Sequence, residues 1–251
     1  MELVEIEHYD RVTELKLNNG ITNALSLEFI RKIFKSLKDL KDDPAVNGVA
    51  ITTNNHKFFS IGFDIPSLYD LNEQDFRIFY RTYNRLCMDL YTYPKPTIAA
   101  ITGHAIAGGC ILALCCDFRF IGEGRKLMGL NEVKLGVPVP YPGDCVLRQL
   151  VGPQNAQIIM EKGLFYPSEE LLQMGIVDRV IPVEQVNSKA IDRVKLAGNM
   201  PNEAFNLIKR NRQEIVEKQV LKHLAKKEKT FIESWFSDEA RKLLKEGMEK
   251  F

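Results

Sequence analysis

The sequence predicts an α/β fold with a parallel-type sheet and a helical C-terminal piece. Three observations predict it. Short apolar runs of strand length alternate with amphipathic segments of helical period. The most apolar stretch, Thr97 to Cys116, runs strand, glycine-punctuated turn, helix. Roughly the last fifty residues are amphipathic and rich in Lys and Glu, without repeat or low-complexity tract. Such alternation favours parallel pairing with helical crossovers, and 251 residues suffice for one domain with a sizeable core.

Taken in order, Leu3 to Glu7 and Arg11 to Leu17 alternate in polarity and predict a hairpin around Tyr9-Asp10. Ser26 is a helix-capping residue before Leu27 to Leu40, where Ile30, Ile33, Phe34, Leu37 and Leu40 share one face. Asp42-Asp43-Pro44 ends that helix, and Val46 to Thr52 predicts a buried strand. Asn54 to Asp64 reads as a loop and Glu73 to Tyr91 as a long helix. Thr97 to Ile101 is a buried strand; Gly103 to Gly109 a turn; Cys110 to Cys116 helical; Asp117 to Ile121 another strand. The proline-rich VPVPYPG run follows, then a strand-like Ile176 to Pro182 between helical segments.

Apolar residues at 45%, charged residues at 27% and a net charge of +1 describe an ordinary globular chain and give no electrostatic case for nucleic acid or a membrane surface. No apolar run reaches transmembrane length. MELVEIEHYD lacks the features of a signal or transit peptide and EGMEKF lacks a Ser-Lys-Leu ending. Five cysteines, three of them in one apolar segment, read as free thiols in a reducing compartment, so a cytoplasmic location is expected. Cys110, Cys115 and Cys116 lack zinc-site spacing, and no metal is expected.

The chemistry centres on Lys95 to Asp117. Without a Cβ, Gly108 and Gly109 let a ligand approach the backbone. A helix starting there would present unpaired N–H groups and the positive end of its dipole. Such a turn holds a phosphate or an oxyanion formed during a reaction, or simply packs a strand tightly on a helix.

Six blocks in order, NALSLEF (23–29), KFFSIGFDI (57–65), KPTIAAITGHAIAGGC (95–110), GLNEVKLGVPVP (129–140), MGIVDRVIP (174–182) and FSDEARKLLKEG (236–247), resemble the crotonase (enoyl-CoA hydratase/isomerase) superfamily over essentially the whole chain. The resemblance implies a crotonase-like spiral of ββα repeats over residues 1–195. It implies a C-terminal helical trimerisation region over 196–251, and hence homotrimers or hexamers. It implies an acyl-CoA thioester as substrate, with coenzyme A entering only as part of that substrate and no other cofactor.

It further implies an oxyanion hole from two main-chain amides, assigned on this sequence to Ile61 and Gly108, with Phe59, Gly62, Asp64, Ile65, Gly109, Ile111, Val137, Pro140 and Tyr141 around the substrate. An acyl thioester losing its α-proton develops charge on its carbonyl oxygen, which two fixed donors stabilise. Read without the resemblance, SIGFD is a plain turn in which Asp64 caps the next helix. Hydratases of this family carry two glutamates that activate water. The first position is Ile111 here; the second is Glu132, and Gly129-Leu130-Asn131-Glu132 resembles the Δ3,Δ2-enoyl-CoA isomerases.

A single base beside an enolate-stabilising pocket suits proton transfer from C2 to C4 of a 3-enoyl thioester, so Glu132 is the expected shuttle, with Ile61 and Gly108 supplying the hole. Its neighbours Leu130, Val133, Val137 and Val139 are expected to desolvate it and raise its pKa, whereas a surface pair with Lys134 is the plainer reading. Hydration, thioester hydrolysis, decarboxylation and non-catalytic acyl-CoA binding stand as alternatives. Asp144 is expected to cap a helix over Cys145 to Val151; Pro138, Pro140 and Pro142 to stiffen the pocket wall; Cys110, which lacks an orienting acid, to pack in the core rather than pair with His104. His56 and Lys57, and Lys226, Lys227 and Lys229, are expected to be solvated charges or contacts to coenzyme A phosphates. Phe231, Trp235 and Phe236 share a helical face expected at a subunit contact.

Overall fold

Ten strands and nine α-helices make up residues 2–249, the part of the chain that the computed structural model describes. The chain ends read for targeting signals fall partly outside it, at Met1, Lys250 and Phe251. An antiparallel hairpin, β1 (Val4–Tyr9) with β2 (Val12–Leu17), turns at Asp10, whose φ of 53° matches a tight hairpin turn. Helix α1 (Leu27–Asp42) is capped by Ser26, whose hydroxyl accepts from the Phe29 amide. β3 (Gly48–Thr53) follows, buried along its length. Then come β4 (Phe58–Ser60), α2 (Ile65–Tyr69) and α3 (Glu73–Tyr91), the last capped by Asn72.

From β3 onward the chain alternates between two sheets. β3, β5 (Thr97–Ile101) and β7 (Phe118–Gly122) enter a six-stranded sheet ordered β1-β2-β3-β5-β7-β10. β4, β6 (His104–Ile106) and β8 (Leu127–Gly129) enter a four-stranded sheet ordered β4-β6-β8-β9. Helical segments separate successive pairs: α2 and α3, then α4 (Gly108–Leu114), then a 3₁₀ turn (Glu132–Leu135) leading to α5 (Tyr141–Lys162). The result is a spiral of ββα turns, parallel within each sheet from β2 to β10 and from β4 to β8. β9 (Phe165–Pro167), α6 (Ser168–Gln173), β10 (Arg179–Ile181) and α7 (Val186–Gly198) close it, and α8 (Asn202–Trp235) and α9 (Asp238–Met248) fold back over it. The expected boundary between 195 and 196 falls inside α7.

Two interactions fasten α8 to the core. The buried Asp117 carboxylate accepts from the Thr97 amide (2.9 Å) and from Lys209 Nζ (2.6 Å), while Arg212 binds its other oxygen at 2.5 Å. Burial pulls the Lys209 pKa down, and its pairing with Asp117 offsets that. Farther along, Phe231 stacks on Tyr80 (ring centroids 4.0 Å apart) and Trp235 on Phe76 (4.4 Å). Phe231 and Trp235 are each only 2% exposed within the chain, so these rings belong to its own core and not to a subunit contact. Asp144 likewise differs from expectation. α5 begins earlier, at Tyr141 behind Pro140, and Asp144 lies inside its first turn paired with Arg148 at 2.8 Å.

Candidate active site

Segment 22–25, ahead of α1, runs beside 61–64 and decides which amides are free. Ile61 N–H donates to the Thr22 carbonyl at 2.9 Å, Leu25 N–H to the Gly62 carbonyl at 2.7 Å, and Asp64 N–H to the Leu25 carbonyl at 3.2 Å. The Gly62 amide is taken by Ser60 Oγ at 3.1 Å. Phe63 N–H is the one amide of 61–64 with no partner among the described residues. The Ile61 assignment is therefore corrected: its hydrogen is already spent on Thr22, and the free donor lies two residues on. Buried Asn23 holds the frame, its Nδ2 donating to Thr53 Oγ1 and the Phe59 carbonyl, both at 3.1 Å.

The second amide lies at the start of α4. Ala107, the residue before it, has φ 48° and ψ −120°, a conformation L-residues adopt at a cost of about 1–3 kcal/mol. Its amide donates to the Gly129 carbonyl at 2.9 Å and its own carbonyl accepts from Ile111 N–H at 3.0 Å, so both sides pin the strained peptide. This turn leaves Gly108 N–H, at the first position of α4, without a partner among the described residues. The two loops touch. A Cβ built on Gly62, whose φ is +92°, would lie 2.9 Å from Gly108 N, and one on Gly109 would lie 2.4 Å from the Ser60 carbonyl oxygen. Only glycine permits that approach.

Glu132 opens the 3₁₀ turn after β8 and is 5% exposed. Its Oε2 is buried without a hydrogen-bond partner. Burial raises its pKa to about 7, against the lowering effect of its own amide and that of Asn131. Leu130 and Val137 are buried around it as expected, whereas Val133 points outward at 48% exposed. Among the described residues Glu132 has no ion pair with Lys134. Ile111 is fully buried on α4 with its side chain against Gly143. Cys110 is buried, its pKa raised by burial first and by the Glu132 carboxylate second. His104 Nδ1 instead accepts from the Leu127 amide at 3.0 Å, so no Cys–His pair forms.

The remaining expected residues divide. Gly62 and Gly109 sit at the loop contact described above, and Asp64 and Ile65 begin α2, with no capping bond from the Asp64 side chain. Phe59 is the central residue of β4 and fully buried. Pro140 and Tyr141 open α5, but Tyr141 faces α8, where its hydroxyl accepts from Gln219 Nε2 at 3.3 Å and Lys227 Nζ lies 5.4 Å from its ring. α9 roofs this region. Arg241 donates to the Tyr69 carbonyl at 2.7 Å and stacks on the Tyr69 ring at 3.4 Å, and Ser234 Oγ donates to the Gly136 carbonyl behind Glu132 at 2.9 Å. Two surface cavities, about 540 Å³ beside Lys41, Tyr93 and Arg210 and about 130 Å³ beside Arg119, Val146 and Arg212, are lined by neither Glu132, Phe63 nor Gly108. Sequence reasoning missed Phe63 and Tyr83. Phe63 was legible only as part of SIGFD, and Tyr83 only as one more ring on the buried face of α3.

Two unpartnered amides thus lie on loops that touch at a glycine contact, and the buried Glu132 carboxylate lies on the turn that follows Gly129, the residue hydrogen-bonded to Ala107. The sequence profile of the enoyl-CoA hydratase/isomerase family matches residues 7–251, and the chain belongs to that family. It is similar to human mitochondrial enoyl-CoA delta isomerase 1, 34% identical over 208 residues that cover 82% of this chain and 69% of the relative. The mouse protein of that name is 35% identical over 75% of this chain and 65% of its own length, so the match spans about two thirds of these relatives. A crotonyl-CoA hydratase of Syntrophomonas wolfei is 31% identical over 74% of this chain and 71% of its own. Among solved structures, human mitochondrial delta3-delta2-enoyl-CoA isomerase superposes with a TM-score of 0.95 at 29% identity, covering 99% of this chain and 98% of the other. An enoyl-CoA hydratase from Bacillus halodurans shares the fold, with a TM-score of 0.89 at 19% identity over 98% of this chain and all of the other.

Proposed function

We propose that this chain is a Δ3,Δ2-enoyl-CoA isomerase working through one carboxylate. Glu132 carries the reading: a buried acid with an unpartnered Oε2 and a pKa of about 7, with Ile111 at the place where the family resemblance puts the hydratases' first glutamate. In the ionised form Glu132 takes a proton from C2 of a 3-enoyl thioester. The C–H electron pair moves into the C1–C2 bond and the carbonyl pair onto oxygen, where the amides of Phe63 and Gly108 hold the enolate. The carbonyl then re-forms, the C1=C2 pair of the enolate becomes the C2=C3 bond, and the former C3=C4 pair takes the proton from Glu132 at C4. Nothing is consumed, and the sequence of steps needs no water, metal or cofactor beyond the thioester itself. A pKa near neutrality suits a group that must both accept and return the proton.

Hydration is the second reading, since named relatives include a hydratase. It is disfavoured because isoleucine at 111 neither accepts nor donates a proton. We further propose self-association into trimers or hexamers, supported by the exposed Leu207, Ile208, Ile215 and Leu221 along α8, and a reducing, cytoplasmic setting, supported by five free buried cysteines. The deciding assay follows the absorbance of the conjugated enoyl thioester during incubation with 3-enoyl-CoA of graded chain length, with 2-enoyl-CoA as the hydration control. Conversion of the first without consumption of the second is expected; hydration alone would replace the proposal.

A further inference from the structure

The oxyanion hole described above comes from two loops far apart in sequence, and a third element touches both. Tyr83 lies on the buried face of α3 and is fully enclosed. Its hydroxyl donates to the Gly108 carbonyl at 2.8 Å. Its ring meets the Phe63 ring edge-on, centroids 4.7 Å apart at 87°. A Cβ built on Gly108 would lie 3.0 Å from the Phe63 ring and 3.2 Å from the Tyr83 hydroxyl, so the three residues are in mutual contact.

We propose that Tyr83 is a positioning residue that holds the two oxyanion-hole amides in register, its hydroxyl fixing Gly108 and its ring fixing Phe63. The proposal rests on the reading of Phe63 and Gly108 as the donors. Gly108 follows the strained Ala107 and has no side chain of its own, so beyond the Ala107–Ile111 bond that holds its amide plane it needs an anchor from outside the loop. The Tyr83 hydroxyl is that anchor. Phe63 likewise belongs to no regular element, and its ring is seated between Tyr83 and Phe79 (4.8 Å, 85°). Because α3 is packed through Phe76 and Tyr80 onto α8, the tyrosine transmits the rigidity of the core to both donors. A hole loosened in this way still binds the thioester but stabilises the enolate less well, so loss of the hydroxyl acts on turnover rather than on binding. Burial raises the Tyr83 pKa well above that of free tyrosine, so it remains a donor across the working pH range.

The test compares wild type with Tyr83→Phe in two readouts: turnover of 3-enoyl-CoA, and the red shift in absorbance of a bound conjugated dienoyl-CoA, which grows as donors polarise the thioester carbonyl. The phenylalanine variant is expected to fold, to keep KM within about twofold, to lose kcat by about tenfold or more and to show a smaller red shift. An unchanged red shift with unchanged kcat overturns the proposal, as does a change confined to KM and melting temperature, the mark of a merely structural role. If Tyr83→Phe does not fold, Phe63→Leu withdraws the ring contact while keeping the main-chain amide, and an undiminished red shift there has the same consequence. Wild type that shifts the dienoyl spectrum but does not turn over 3-enoyl-CoA refutes the isomerase and leaves Tyr83 to be judged by the shift. Wild type that produces no shift removes the hole and Tyr83 together.

Discussion

Replacing Glu132 by Gln keeps the size of the side chain and removes its charge, with a consequence for stability as well as for activity. Burial moves its pKa from 4.5 to about 7, so the folded protein holds this proton more tightly than the unfolded chain does. Between those values stability falls as pH rises; below the lower one both states are protonated and the cost vanishes; above the upper one it is complete, at about 3 kcal/mol. Glu132→Gln is therefore expected to match wild type at about pH 4 and to exceed it by about 3 kcal/mol at about pH 8.5, a melting-temperature gain on the order of 10 °C. Chemical denaturation at the two pH values measures it. In the proposed mechanism the working form is the carboxylate, so wild-type kcat/KM should climb as pH rises through about 7. In the variant kcat should drop by roughly two to four orders of magnitude while the thioester still binds. A stability gap that does not widen with pH, or a pH–rate profile flat through neutrality, would refute the argument that burial tunes this acid.

Other substitutions probe the frame. Gly109→Ala sets a methyl group against the Ser60 carbonyl oxygen and should cost about 1–3 kcal/mol or more in urea unfolding. Ala107→Gly removes side-chain strain at φ 48°, so its stability should equal or exceed wild type by up to about 1 kcal/mol, where glycine in an ordinary helix costs about that much; a clear loss would show the residue to be unstrained. Lys209→Met leaves the Asp117 carboxylate buried with one partner fewer and should destabilise by about 3–5 kcal/mol, read by calorimetry.

Regular helices were the most legible part of the sequence. The helix expected over about Glu73 to Tyr91 matches α3, because its buried rings recur at helical spacing. The larger sheet was visible in its continuous apolar runs, of which Thr97–Ile101 is the clearest. The smaller sheet was not: β4, β6, β8 and β9 have three residues each, too few for alternation to show, so Asn54 to Asp64 passed for loop and Gly103 to Gly109 for turn. At the site, Gly108 and Glu132 are marked by the family resemblance of the blocks around them; read without it, the Gly-Gly turn is equally tight strand–helix packing and Glu132 a surface partner for Lys134. Which of the neighbouring amides stays free was invisible, because only pairing with residues 22–25 uses up Ile61 and leaves Phe63. Phe231 and Trp235 show the same limit: a ring-bearing helix face reads alike whether it meets another subunit or its own α3.

The seating of α9 ties the turn that carries Glu132 to the order of synthesis. Ala240 packs against Gly136, just behind the acid, and Arg241 locks down α2. A nascent polypeptide that has not yet delivered these residues leaves Gly136 uncovered and α2 without its Arg241 contact. Trimming the protein after Phe236 removes both contacts and should lower the Glu132 pKa from about 7 toward 4.5, read by following its carboxyl titration in the shortened and full-length chains.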